Sequence, residues 1–148
     1  MRDYTKIDAW RLADDLTVAI YESTRAFPRE ELYALTSRLR RAAYSVPANI
    51  AEGSSRESQR DYLHFLYIAR GSLSETQYFI HLSRRLGYLA EMDAARLTEQ
   101  SRAAFACLHG LIKAVEKNAG KLAKVAAAVT SLLTLSLVKF STPFLNHT

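Results

Sequence analysis

The chain is expected to be all-α: an antiparallel up-and-down four-helix bundle with a kinked second helix and a C-terminal apolar extension. Three observations point there. Apolar residues recur at steps of three and four through four separate stretches, the period of an amphipathic helix. No stretch alternates apolar with polar residues as a strand would. Five glycines and three prolines in 148 residues leave little material for a turn-rich β-protein. Four helices with short joints pack as a bundle.

The first helix is read from about Asp8 to Ala26, with Ile7, Trp10, Ala13, Thr17, Ile20, Thr24 and Phe27 as its apolar stripe. It stops at Phe27-Pro28, because the residue before proline is pushed out of helical geometry. The second starts near Glu30 to Leu32 and carries Leu35, Leu39, Ala43, Val46 and Ile50 on one face, with Gly53 as its C-terminal cap. Inside it stands "SVPANIAEG", residues 45–53. Proline has no N–H to donate and crowds the preceding turn, costing about 3 kcal/mol in a helix interior. Either Ser45 caps a fresh turn in which Val46 and Pro47 are tolerated, or the helix runs on with a kink and Ala43 loses its hydrogen-bonded partner. A kinked or broken helix is the expectation. The Asn49 amide would then bond a freed carbonyl near the bend, an architectural rather than a catalytic role.

The third helix has the clearest start: Ser58 with Asp61 three residues later resembles a capping box, with Asp in place of Glu or Gln. Two seams run along it. One is Tyr62, Leu66, Ala69, Leu73, Thr76, Ile80, Ser83; the other is Phe65, Ile68, Ser72, Glu75, Phe79, Leu82, Leu86. Both alternate steps of three and four, as a helix with partners on two sides needs. Gly87 ends it. Gly71, with Ala69, Ser72 and Ser74, forms a small-residue patch read as a close helix–helix approach. The fourth helix begins near Asp93 as N-cap and carries Leu97, Ser101, Ala104, Phe105, Leu108, Leu111, Ile112 and Val115.

Residues 4–118 are assigned to the bundle and 119–148 to a C-terminal extension or tail. In the tail, 125–138 is apolar without a polar face, and at 14 residues it falls short of the roughly 20 that span a bilayer. It reads as an extension of helix four or a tail packing on the bundle or a partner, with a membrane-peripheral anchor as the less favoured reading. Lys113, Lys117, Lys121 and Lys124 form a basic stripe if helix four continues, most simply a solvated face.

Net charge is +5, yet all 15 acidic residues lie before residue 119 and three lysines follow it. The body is therefore nearly neutral, and a nucleic-acid role must rest on local patches. One cysteine, Cys107, excludes an intrachain disulfide and a multi-cysteine zinc site. It sits in an apolar stretch and reads as a small core residue. His64, His81, His109 and His147 show neither i, i+4 pairing nor an acidic cluster with metal-ligand spacing. "GSS" at 53–55 and "GSLSE" at 71–75 lack the preceding strand that phosphate loops need. No catalytic, metal or cofactor residue is assigned, and no small-molecule substrate is implied. The N-terminus alternates charge without an apolar h-region, so a cytoplasmic protein is expected.

Arg38, Arg41, Ser45, Asn49 and Glu52 share one polar stripe of helix two. Glu75 lies in an apolar seam, and a buried carboxylate needs a partner, so it is expected to meet Arg41 or Arg38 across the helix pair and fix a register. In the rival reading Arg38, Arg40 and Arg41 contact phosphates. Tyr67 and Tyr78 lie off both seams, at a subunit contact or stacked on RNA bases.

Residues 35–56, "LTSRLRRAAYSVPANIAEGSSR", and 61–89, "DYLHFLYIARGSLSETQYFIHLSRRLGYL", together resemble the four-helix-bundle proteins known as 23S rRNA intervening-sequence proteins. Residues 8–28 fit that family's first helix, with Trp10 at its tryptophan. The resemblance spans roughly 4–117, and nothing after about Asn118 has a counterpart in it. It implies a bundle of four antiparallel helices assembled in rings of five, a homopentamer. The family name describes reading frames inside intervening sequences of bacterial large-subunit rRNA genes, a genomic address rather than an activity. Related bundles are accessory proteins of diversity-generating retroelements, partnering a reverse transcriptase and nucleic acid. The resemblance brings no catalytic residue. Together these readings predict a non-enzymatic oligomer acting by association, with nucleic acid or a nucleic-acid-processing protein as partner, or a scaffold binding protein only.

Overall fold

The computed structural model describes residues 2–140, with side chains through 128 and at 130. It is helical: α1 (Asp8–Ser23), α2 (Ser37–Ser54), α3 (Gln59–Arg85) and α4 (Glu91–Phe140), with short 3-10 turns at Tyr4–Lys6, Thr24–Ala26 and Arg29–Glu31. The chain divides into two units, Met1–Val115 and Glu116–Thr148.

The local signals act where periodicity places them. Phe27, held extended by Pro28, ends the 3-10 turn that follows α1 (ψ 151°). Ser58 caps α3: the Asp61 N–H donates to Ser58 Oγ at 3.0 Å, and the Ser58 hydroxyl donates to the Asp61 carboxylate at 2.7 Å. Gly87 (φ 75°) closes α3. Its N–H bonds Arg84 O and the Tyr88 N–H bonds Ser83 O, the paired bonds of a Schellman turn.

Three details differ from the sequence expectation. First, α2 runs unbroken through a buried Pro47. The interruption lies upstream, in a π-helical turn over Leu32–Thr36 where Ala34 leaves helical geometry (φ −110°, ψ −105°). Asn49 Nδ2 donates to Ser45 O at 2.7 Å. It thus supports the helix beside the proline, on Ser45 rather than on the Ala43 carbonyl that lacks its usual donor. Second, Gly53 is no C-cap: it lies within α2, and a Cβ there would stand 2.8 Å from Phe65 Cβ and 3.1 Å from the Tyr62 ring. Glycine is needed because α2 and α3 approach closely. Third, α4 starts two residues early at Glu91, so Asp93 sits in its first turn and binds Arg96 at 3.1 Å instead of capping.

Cross-helix contacts show each neighbouring pair running antiparallel in the first unit. Gly53 meets Tyr62 and Phe65 while Arg38 and Glu75 share one groove, for α2 and α3. Between α3 and α4, Gln77 faces Ser101 and Arg84 pairs with Glu91. Between α4 and α1, Arg96 reaches Ser23 while Cys107 lies against Asp8. At one end of α1–α2, Arg40 reaches Thr24; at the other, the Arg2 N–H bonds Ser54 O.

The core is one cluster fed by all four helices: Leu16 and Ile20, Leu39 and Ile50, Leu66 and Leu73, Leu97 and Leu108 are all buried. Each such side chain contributes about 1.5–3 kcal/mol on burial. The face read for helix two is buried throughout. On α1 the buried line is Ala9, Ala13, Leu16 and Ile20, which leaves Trp10 and Thr17 at its margin. All seven residues of the Tyr62–Ser83 seam are buried. In the second unit α4 continues through 125–138, and Leu122 and Val125 are exposed. The side chains at 129 and 131–138 lie outside the described residues, as do 141–148 and His147. Among the described residues no helix is long and apolar enough to cross a membrane.

Candidate interaction surface

The polar stripe of α2 divides when the helix is packed. Arg38, Arg41 and Ser45, three and four residues apart, face Ser72 and Glu75 of α3 across a groove of about 540 Å³ floored by Ala42. Asn49 is spent on Ser45, and Glu52 pairs with Arg56 one turn on. Both groove arginines are exposed, and so is Glu75. Surface salt bridges such as Arg56–Glu52 and Arg84–Glu91 join described residues, and none of Arg38, Arg41 and Glu75 takes part in one. The expected buried Glu75–arginine pair is therefore absent within the chain. Glu75 is exposed at the edge of the groove.

Arg40 does not join the other two arginines. It is half-buried, its Nε donates to Thr24 Oγ1 at 2.8 Å, and its guanidinium lies 4.7 Å from the Tyr21 ring centre. It ties α2 to the end of α1. The arginine trio of the rival phosphate reading reduces here to Arg38 and Arg41 on one face.

The second seam of α3 flanks this groove. Phe79 is buried, Phe65, Ser72 and Leu82 are half-buried, and Ile68, Glu75 and Leu86 are exposed. One chain therefore covers one seam fully and the other in part. Gly71 is exposed, and a Cβ added to it would meet nothing within 4 Å, so Gly71 itself makes no close approach among the described residues. Tyr67 and Tyr78 are also exposed, Tyr67 beneath the Arg70 guanidinium at 4.9 Å. Lys113 is exposed in the first unit, and Lys117, Lys121 and Lys124 are exposed along α4 in the second.

A second hollow has no counterpart in the sequence expectations. Tyr21 of α1, Tyr33 of the π-helical turn and Tyr44 of α2 surround about 320 Å³ beside Arg40 and Arg41. Tyr33 and Tyr44 are 11 residues apart, about three helical turns, a spacing that hints at a shared face. Tyr21 joins only through helix packing.

Among the described residues, groups for covalent or proton-transfer chemistry do not gather. Ser45 and Ser72 have no histidine or lysine in the groove. His64, His81 and His109 are each exposed, and no cluster of three metal-ligating side chains occurs among the described residues. Burial pushes the half-buried Cys107 thiol up, and the Asp8 carboxylate adds to the rise, the opposite of an activated nucleophile. The groove instead presents two guanidinium forks, a shape that matches carboxylate or phosphate, with one carboxylate and half-covered apolar side chains beside them.

The sequence profile of the 23S rRNA-intervening sequence protein family matches residues 5–110. A crystal structure from Bacteroides thetaiotaomicron VPI-5482, of a protein with unknown function from the S23 ribosomal protein family, superposes with a TM-score of 0.64 at 22% identity. The match covers 71% of this chain and 98% of that one. At that identity it shows a shared fold. No curated protein matches the chain.

Proposed function

The chain belongs to the 23S rRNA-intervening sequence protein family, and from that premise we propose that it is a non-enzymatic homo-oligomer, a pentamer, acting by association. One observation carries the reading. The half-covered Phe65–Leu86 seam lies beside a groove whose two arginines and one carboxylate have no ion-pair partner among the described residues. Apolar side chains next to unpaired forks are what a second copy completes, since it supplies both signs of charge and the missing cover. Nucleic acid, or a protein that processes it, is the outside partner, engaged through the basic surface. Glu75 favours a second reading, a scaffold that binds protein only, because a carboxylate in the groove opposes phosphate there.

Sedimentation velocity tests the assembly. The wild type is expected as one oligomer of five chains. Ile68→Asp should yield monomers of unchanged helicity, and Glu75→Ala should weaken the assembly. A monomeric wild type would sink the proposal. Fluorescence anisotropy with RNA at two salt concentrations separates the partners: phosphate contact weakens steeply with salt because counterions are released, and no binding at low salt leaves the protein scaffold.

A further inference from the structure

The hollow between α1 and the start of α2 is lined differently from the groove. Tyr33 is 91% exposed, and Tyr21, Leu32 and Tyr44 are each 40–46% exposed. Three open rings lining one hollow mark an interaction site rather than a core margin. None of the lining residues is acidic. The charge there comes from Arg40, clamped by Thr24 and the Tyr21 ring, and from Arg41, which has no ion pair. Under the rings the buried Thr36 hydroxyl has no hydrogen-bond partner. The backbone that carries Tyr33 leaves helical geometry at the next residue, Ala34, so this ring is not held in a regular helical row.

Aromatic faces beside uncompensated guanidinium groups complement one polymer above others. Unpaired bases stack on tyrosine rings, and the phosphates between them meet arginine. A duplex hides its base faces and offers phosphate only. The volume, about 320 Å³, lies at the small end of ligand sites and admits one base rather than a folded domain. We infer that this hollow binds a base of a single-stranded nucleic acid, with Tyr33 and Tyr44 as the stacking rings and Arg41 as the phosphate contact. The inference rests on the nucleic-acid part of the proposed function and adds the strand state and the site.

The test is anisotropy of the full chain with a fluorescein-labelled oligouridylate, and with an RNA duplex of the same length, at low salt. The single strand is expected to bind more tightly than the duplex. Tyr33→Ala and Tyr44→Ala should each weaken it about tenfold, the scale of one lost stacking contact, with the salt slope unchanged. Tyr33→Trp should restore binding, and Arg41→Gln, compared at equal oligomer mass because Arg41 also borders the groove, should lower both affinity and slope. If Arg41→Gln weakens binding while Tyr33→Ala and Tyr44→Ala do not, the stacking site is overturned and the nucleic-acid reading stands. Absence of binding to either RNA overturns both. A change of oligomer mass in Tyr33→Ala with unchanged RNA affinity overturns the inference by assigning the hollow to a subunit contact.

Discussion

On α3, the seven residues from Tyr62 to Ser83 are all buried, whereas the seven from Phe65 to Leu86, with the same steps, range from buried Phe79 to Leu86 at 49% exposure. The first seam faces α2 and α4 together and closes the core. The second stands beside the groove and lacks a third helix to cover it. Equal periodicity thus carries unequal burial, because burial depends on what stands opposite. The inner seam is a matter of folding; the outer seam is where the proposed association would act.

The sharpest way to break this comparison is to shorten one side chain in each seam. Leu73→Ala should destabilise the chain by about 2–5 kcal/mol, the range for a fully buried leucine. Ile68→Ala, on a side chain 40% exposed, should cost under about 1 kcal/mol by the area it covers. Urea unfolding at two protein concentrations reads both. A concentration-dependent loss for Ile68→Ala alone would place the outer seam in a subunit contact. Equal losses at all concentrations would erase the distinction between the seams.

Gly53 touches the start of both seams, through Tyr62 and Phe65. Gly53→Ala puts a methyl 2.8 Å from Phe65 Cβ, an atom fixed to the backbone, so α2 and α3 must separate. A loss of about 1–3 kcal/mol is expected, seen as a lower midpoint in thermal unfolding. An unchanged or higher midpoint would mean that helix propensity, which favours alanine, outweighs the crowding.

The smallest effect concerns pH. Burial raises the Tyr62 phenol above its ordinary value near 10, with Arg2 opposing the rise. The folded state therefore holds this proton longer than the unfolded chain. The stability linked to it is complete below about pH 10 and declines as pH climbs through the raised folded value. Tyr62→Phe should flatten that alkaline decline relative to wild type, measured as unfolding free energy against pH. Parallel curves would show that Tyr62 ionises alike in both states.

Much of this is legible from residue spacing. The buried faces of α2, α3 and α4, the Ser58 cap and the Gly87 stop follow from periodicity and from hydrogen bonds within a few residues. The departures share a cause. Proline chemistry argues for a break at Pro47, but Asn49 supports the helix beside it and the irregular turn falls at Ala34. Apolar neighbours along the seam argue for a buried Glu75, although at its height the groove is open to water. Residue spacing marks only part of the tyrosine hollow, Tyr33 and Tyr44, because Tyr21 comes from another helix.

Residue spacing alone shows that four helices form, caps α3 with Ser58 and stops it at Gly87, and selects the stripe of α2, α3 and α4 that turns inward, since these depend on neighbours three and four residues away. Tertiary structure alone decided that Gly53 is a point of close approach, that Arg40 is bound to α1 while Arg38 and Arg41 stay open, and that the outer seam stays half-covered. Those outcomes depend on the distance and identity of the helix alongside, which no repeat within a single helix encodes.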